Sequence, residues 1–134
     1  MPEQARIRLL VVDDDPDFRA TLRTILAVDE RLELLAEASD GAQAVELADE
    51  LAPDVVAMDV VMPGMDGVEA TRLIHSRRPD CRVVLVSGSI FAEGSGGRGT
   101  ELAEEAGATG YVSKSRAVLD LADAVAAAAG FRET

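Results

Sequence analysis

Short, largely apolar runs recur along the chain at residues 7–12, 32–38, 55–58, 83–86 and 109–112. Runs of four to seven such residues, with little polar alternation, suit strands covered on both faces. The intervening segments change period. Phe18, Leu22, Ile25 and Leu26 follow the first run; Ala44, Val45, Ala48 and Leu51 the second; Val68, Thr71 and Ile74 the third. Each set recurs every three or four residues and so marks one face of a helix. A fourth helical segment reads as short and late, near residues 100–106. After the last run, Val118, Leu121, Ala122, Val125 and Ala129 form the clearest stripe. Strand alternating with helix five times implies an α/β fold with right-handed crossovers and helices on both faces of a parallel sheet.

Composition narrows the class without altering this reading. The 134 residues are 48% hydrophobic, which suits one domain, with its core over about residues 6–129. Thirteen basic against 25 acidic residues leave a net charge of −12, which disfavours direct binding to a nucleic-acid backbone. Cys81 is the single cysteine, so neither an internal disulfide nor a cysteine-based zinc site is expected, and a reducing compartment follows. Neither a membrane-spanning run nor a signal-peptide pattern is visible, so the expected location is cytoplasmic, away from membranes.

In a doubly wound parallel sheet, ligands bind at the carboxyl ends of the strands, where the strand order reverses. For the flavodoxin-like order 2-1-3-4-5, that crevice lies between the first and third strands. The first strand runs straight into charge: "RLLVVDDDP" places Asp13, Asp14 and Asp15 at its end. The third ends in Asp59, the fourth in Ser87 and the fifth in Lys114. Three adjacent carboxylates repel one another and need a cation. Hard oxygen ligands without thiolate favour Mg²⁺. One carboxylate of the three suffices to cap the helix opening at Pro16, and Asp15 or its neighbour suits that role. Asp66 can cap the helix after "MPGMDG", where Pro63, Gly64 and Gly67 permit a tight loop expected to leave Asp59 exposed. In isolation, Ser87 would read as a turn serine and Lys114 as a solvated lysine; only the ordered set makes them a site.

Taken in order, "VVDDDP", "MDVVMPGMDG", "VLVSGS" and "GYVSKS" resemble the receiver domain of bacterial two-component response regulators, over nearly the whole chain. The resemblance implies a phosphoacceptor, Asp59, supplied by a sensor histidine kinase or a phosphotransfer protein. It implies Mg²⁺ held by Asp14, Asp59 and the backbone carbonyl of Val61, with Asp13 acting through a water. Ser87 corresponds to the switch hydroxyl, Tyr111 to the aromatic that moves with it, and Lys114 to the motif's lysine. Such a domain assists its own phosphorylation and dephosphorylation without being an enzyme in the usual sense, and needs no organic cofactor. It occurs alone or as the N-terminal part of a larger regulator, often transcriptional, and a phosphorylation-dependent homodimer is compatible with it.

Two other classes share part of this chemistry. A small Mg²⁺-dependent phosphohydrolase with an aspartyl nucleophile would use the same carboxylates and lysine, usually with Asp-x-Asp on its first strand, but it also carries a cap for which the chain has no room. A flavin-binding module would need an aromatic sandwich that 3% aromatic content makes hard to build. "GSGGRG", residues 94–99, matches the dinucleotide fingerprint formally, yet follows the fourth strand instead of the first. It reads instead as part of a glycine-rich insertion over about residues 90–100. His75, in "HSRR" at the polar end of a helix, is expected to be solvated, and Cys81 to be a small residue near a strand start.

Overall fold

A computed structural model of the protein describes residues 6–88 and 104–130. The described elements run β1 (Ile7–Val12), α1 (Pro16–Ala27), β2 (Leu32–Ala38), α2 (Gly41–Leu51), β3 (Val55–Asp59), α3 (Gly67–Arg77), β4 (Arg82–Ser87), β5 (Gly110–Ser113) and α4 (Ala117–Ala129). A single 3-10 turn, Lys114–Arg116, joins β5 to α4. The five strands form one parallel sheet in the expected flavodoxin-like order 2-1-3-4-5. The third, fourth and fifth strands each reach one residue further at the carboxyl end than their apolar runs. Sheet pairing thus extends into the polar residues Asp59, Ser87 and Ser113. Residues 104–106 are helical and fall within the expected fourth helical segment, whereas the glycine-rich insertion lies outside the described residues.

The sheet separates two apolar layers because successive side chains of a strand point to opposite faces. Leu9 and Val11 of β1 join Leu22 and Leu26 of α1 and Leu121 and Val125 of α4 on one side. Leu10 and Val12 join Ala44 and Ala48 of α2 and Ile74 of α3 on the other. The central strands are therefore almost wholly apolar between their ends, and their buried polar groups, Asp59 and Ser87, stand at carboxyl ends.

Helix starts are secured locally. Asp15 accepts hydrogen bonds from the backbone N–H groups of Asp17 and Phe18, with Pro16 at the first helical position. Asp66 caps α3 through Glu69 N–H, as the sequence led us to expect, and Asp40 caps α2 through Gln43 N–H. His75 is exposed and Cys81 is buried just before β4. Among the described residues, no helix is long and apolar enough to cross a membrane.

Candidate functional site

Register brings the strand-end residues together. Val12 lies opposite Met58 and Asp59 opposite Val86, so the residues just past β1 and at the end of β3 and β4 share one edge. Ser87 pairs with Ser113, which sets Lys114 at the same edge. There, carboxylate oxygens of Asp13, Asp14 and Asp59 all lie within 4.8 Å of one another. The Lys114 ammonium stands 3.1 Å from Asp13 Oδ2 and 3.5 Å from Asp59 Oδ2. Asp13 is 1% and Asp59 4% exposed, whereas Asp14 faces solvent.

The burial of Asp59 corrects the expectation of an exposed acceptor. The loop after β3 does not stand away from the strand end but folds down onto it. Gly67 N–H donates to the Val60 carbonyl at 2.8 Å, and a β-carbon on Gly67 would lie 2.1 Å from the Asp59 carbonyl oxygen. Gly64, within the same loop, has φ +76°, a left-handed conformation that suits glycine. The polar groups that the Asp59 carboxylate meets are the Lys114 ammonium, the carboxylates of Asp13 and Asp14, and the Val61 backbone N–H.

The electrostatics follow from this placement. Burial, then the neighbouring charge of Asp13, pushes the Asp59 carboxyl up to about 6, against the opposing influence of Lys114 and the Val61 backbone hydrogen bond. Burial alone would lower the Lys114 pKa. Its hydrogen bond and attraction to Asp13, joined by Asp59, outweigh that and hold it above the ordinary lysine value. One ammonium among three carboxylates leaves two net negative charges. A divalent cation would cancel that excess, and the all-oxygen donor set suits Mg²⁺.

Ser87 is 1% exposed, and its hydroxyl donates to the Gly88 carbonyl at 3.2 Å. Tyr111 is half-buried and packs against the apolar layer that includes Met58 and Leu85. Burial raises its phenol pKa, with an opposing contribution from a hydrogen bond to Ser87. The side chain of Val61 is 72% exposed, at the lip of the site.

Two residues of α1 brace the site, and the strand-end reading did not single them out. The Lys114 ammonium lies 4.7 Å from the centre of the Phe18 ring. Arg19 Nη1 donates to the Asp13 carbonyl while its Nε pairs with Glu37 at 3.2 Å. Phe18 was visible in the sequence only as one member of an amphipathic stripe. Nothing in that periodicity announces a cation resting on its face.

Fold and site together define a response-regulator type of signalling module, and the comparisons agree. Residues 9–126 match the response regulator receiver domain. The chain is 38% identical over 122 residues to the transcriptional regulatory protein LiaR of Bacillus subtilis, covering 91% of this chain and 56% of LiaR. It is 37% identical over 134 residues to a protein-glutamate methylesterase/protein-glutamine glutaminase of Geobacter metallireducens, covering 99% of this chain and 35% of that one. Among solved structures, the response regulator domain of Thermotoga maritima CheB superposes with a TM-score of 0.85 at 33% identity, covering 96% of this chain and all of that one. The signal receiver domain of the response regulator NarL from Mycobacterium tuberculosis gives 0.85 at 32% identity with the same coverage. The chain belongs to the response regulator receiver family. It spans about a third to somewhat over half of the length of the curated relatives named here.

Proposed function

We propose that Asp59 is the residue this receiver domain phosphorylates, drawing the phosphoryl group from a phosphohistidine of a sensor histidine kinase or phosphotransfer protein. One observation carries the reading: a buried carboxylate at the end of β3, 3.5 Å from the Lys114 ammonium, shares its pocket with two further carboxylates. An Asp59 oxygen forms the new O–P bond as the N–P bond of the donor breaks. The imidazole leaves with the electron pair and takes its proton from solvent. Because the donor phosphoryl group is anionic, the task of the site is positioning and charge neutralisation. Lys114 contributes one positive contact and the Ser87 hydroxyl a neutral donor. Asp14, Asp59 and the Val61 carbonyl are the residues that would hold Mg²⁺, with Asp13 reaching it through a water. A bound Mg²⁺ would supply the second positive contact to the transferred oxygens.

Once Asp59 is phosphorylated, Ser87 turns toward the new oxygens and Tyr111 repacks into the space beside it. The state is then read by an attached or separate output partner, or by pairing of two copies. A transcriptional output, as in a relative such as LiaR, would leave DNA contact to a segment other than this acidic one. A free-standing aspartyl phosphohydrolase is not favoured, since the receiver match extends over residues 9–126. Incubation with acetyl phosphate and Mg²⁺ tests the reading. One phosphoryl group should add to the wild-type chain and none to Asp59→Asn; labelling of that variant would move the acceptor elsewhere.

A further inference from the structure

Lys114 is held from three directions, and the proposed chemistry uses only two. Asp13 and Asp59 attract its charge, at 3.1 and 3.5 Å, but an ammonium on a four-carbon stem can satisfy carboxylates from many positions. The third contact is the face of Phe18, with the ammonium 4.7 Å from the ring centre. Phe18 is itself fixed. It lies in the first turn of α1, its N–H is tied to the Asp15 cap, and its ring packs against the apolar layer of α1 and α4. The same helix start carries Asp13 and Asp14 a few residues upstream, and Arg19 fastens the Asp13 carbonyl to the next residue of the helix. The junction of β1 and α1 therefore carries both Asp13 and the ring against which the lysine rests. Lys114 remains 29% exposed on its side chain, so without the ring its ammonium could swing outward into water.

We propose that Phe18 is a positioning residue for phosphoryl transfer: its ring face confines the Lys114 ammonium to the side of the pocket where the transferred oxygens must lie. The proposal rests on the reading of Asp59 as the acceptor for its kinetic consequence, but not for its geometry. A ring beneath a cation costs the pocket nothing in charge. It adds an attraction that a leucine of similar bulk lacks, because the ring quadrupole and not apolar area provides it. The effect belongs on the maximal rate of phosphorylation and not on donor half-saturation, since Lys114 matters most where charge develops on the moving phosphoryl group.

The test compares Phe18→Leu, which keeps apolar bulk, with Phe18→Tyr, which keeps the ring. In the wild-type protein the Lys114 Hε resonances should lie upfield of free lysine through the ring current, stay there in Phe18→Tyr and return in Phe18→Leu. With acetyl phosphate and Mg²⁺, Phe18→Leu should lower the maximal phosphorylation rate about three- to tenfold at unchanged half-saturation. Phe18→Tyr should stay close to wild type. In a Lys114→Ala background, Phe18→Leu should have no further effect. Unshifted Lys114 resonances in the wild type overturn the proposal. So does an equal slowing by Phe18→Leu with and without Lys114, which would mark a merely structural ring. If the wild-type protein takes no phosphoryl group on Asp59, the reading of the acceptor fails, while the ring-current shift still decides whether Phe18 places the ammonium.

Discussion

Gly67 and Asp59 are in backbone contact across the turn that closes the site: a β-carbon on Gly67 would come within 2.1 Å of the Asp59 carbonyl oxygen and 2.9 Å of the Val60 α-carbon. The obstructing atoms belong to the main chain, which no side-chain rotation can move aside. The first residue of α3 thus fixes how closely the loop covers the acceptor strand.

Gly67→Ala should therefore destabilise the fold by about 2 kcal/mol or more, the cost of overpacking against backbone. It should also push the loop outward and open the Asp59 pocket. Chemical denaturation would show the first effect. An Asp59 carboxyl titrating closer to the ordinary aspartate value in a ¹³C-detected experiment would show the second. A stable variant with an unchanged Asp59 titration would mean that the loop is not held down by this contact.

The raised pKa of Asp59 makes a signed prediction for the metal-free protein. Its folded pKa of about 6 exceeds the unfolded value of 3.8, so the folded state favours the protonated form. The stability this group contributes is present below the unfolded value and is lost as pH rises through about 6. Asp59→Asn should thus be more stable than wild type by about 1–3 kcal/mol near neutral pH, with the advantage vanishing near pH 4. Asp29 and Glu37, held by Arg31 and by Arg23 with Arg19, have lowered pKa values and slope the opposite way. The difference between variant and wild type, measured in chelator, isolates Asp59. A difference independent of pH would contradict the burial of its charge.

Mg²⁺ should relieve that same excess of negative charge. Adding millimolar Mg²⁺ at neutral pH should raise the unfolding temperature of the wild-type protein by mass action. Asp14→Ala should abolish the rise, because Asp14 is the solvent-facing carboxylate of the cluster. Sodium at matched ionic strength separates site binding from general screening. A shift that survives in Asp14→Ala would place the cation elsewhere.

Tyr111 is the only tyrosine and the chain has no tryptophan, so its intrinsic fluorescence reports one side chain. Addition of beryllofluoride, a mimic of the phosphoryl group, should change that fluorescence as the ring repacks beside Ser87. Ser87→Ala should shrink the change while leaving Asp59 able to accept a phosphoryl group from acetyl phosphate. An identical fluorescence change in Ser87→Ala would separate the hydroxyl from the movement of the ring.

The secondary structure was legible in the residues because its causes are local. Continuous apolar runs at Leu9–Val12 and Val83–Val86 suit covered strands, and Asp15, Asp40 and Asp66 cap helices through neighbours two or three positions away. The membership of the acidic edge was legible as well, since a parallel sheet sends every strand's carboxyl end the same way; Asp59 ends β3, and Asp13 and Lys114 directly follow β1 and β5. Their separations were not. Distances of 3.1 and 3.5 Å from Lys114 depend on register across three strand pairs and on how tightly the loop behind Gly67 closes. Burial of Asp59 reversed the exposure expected from a glycine-rich turn, because permissive backbone lets a loop fold inward as readily as outward. The cation over Phe18 joins the first helix to the end of the last strand, two segments with no shared periodicity. Such contacts arise only when packing brings distant elements together; neither the spacing nor the chemistry of either segment alone contains them.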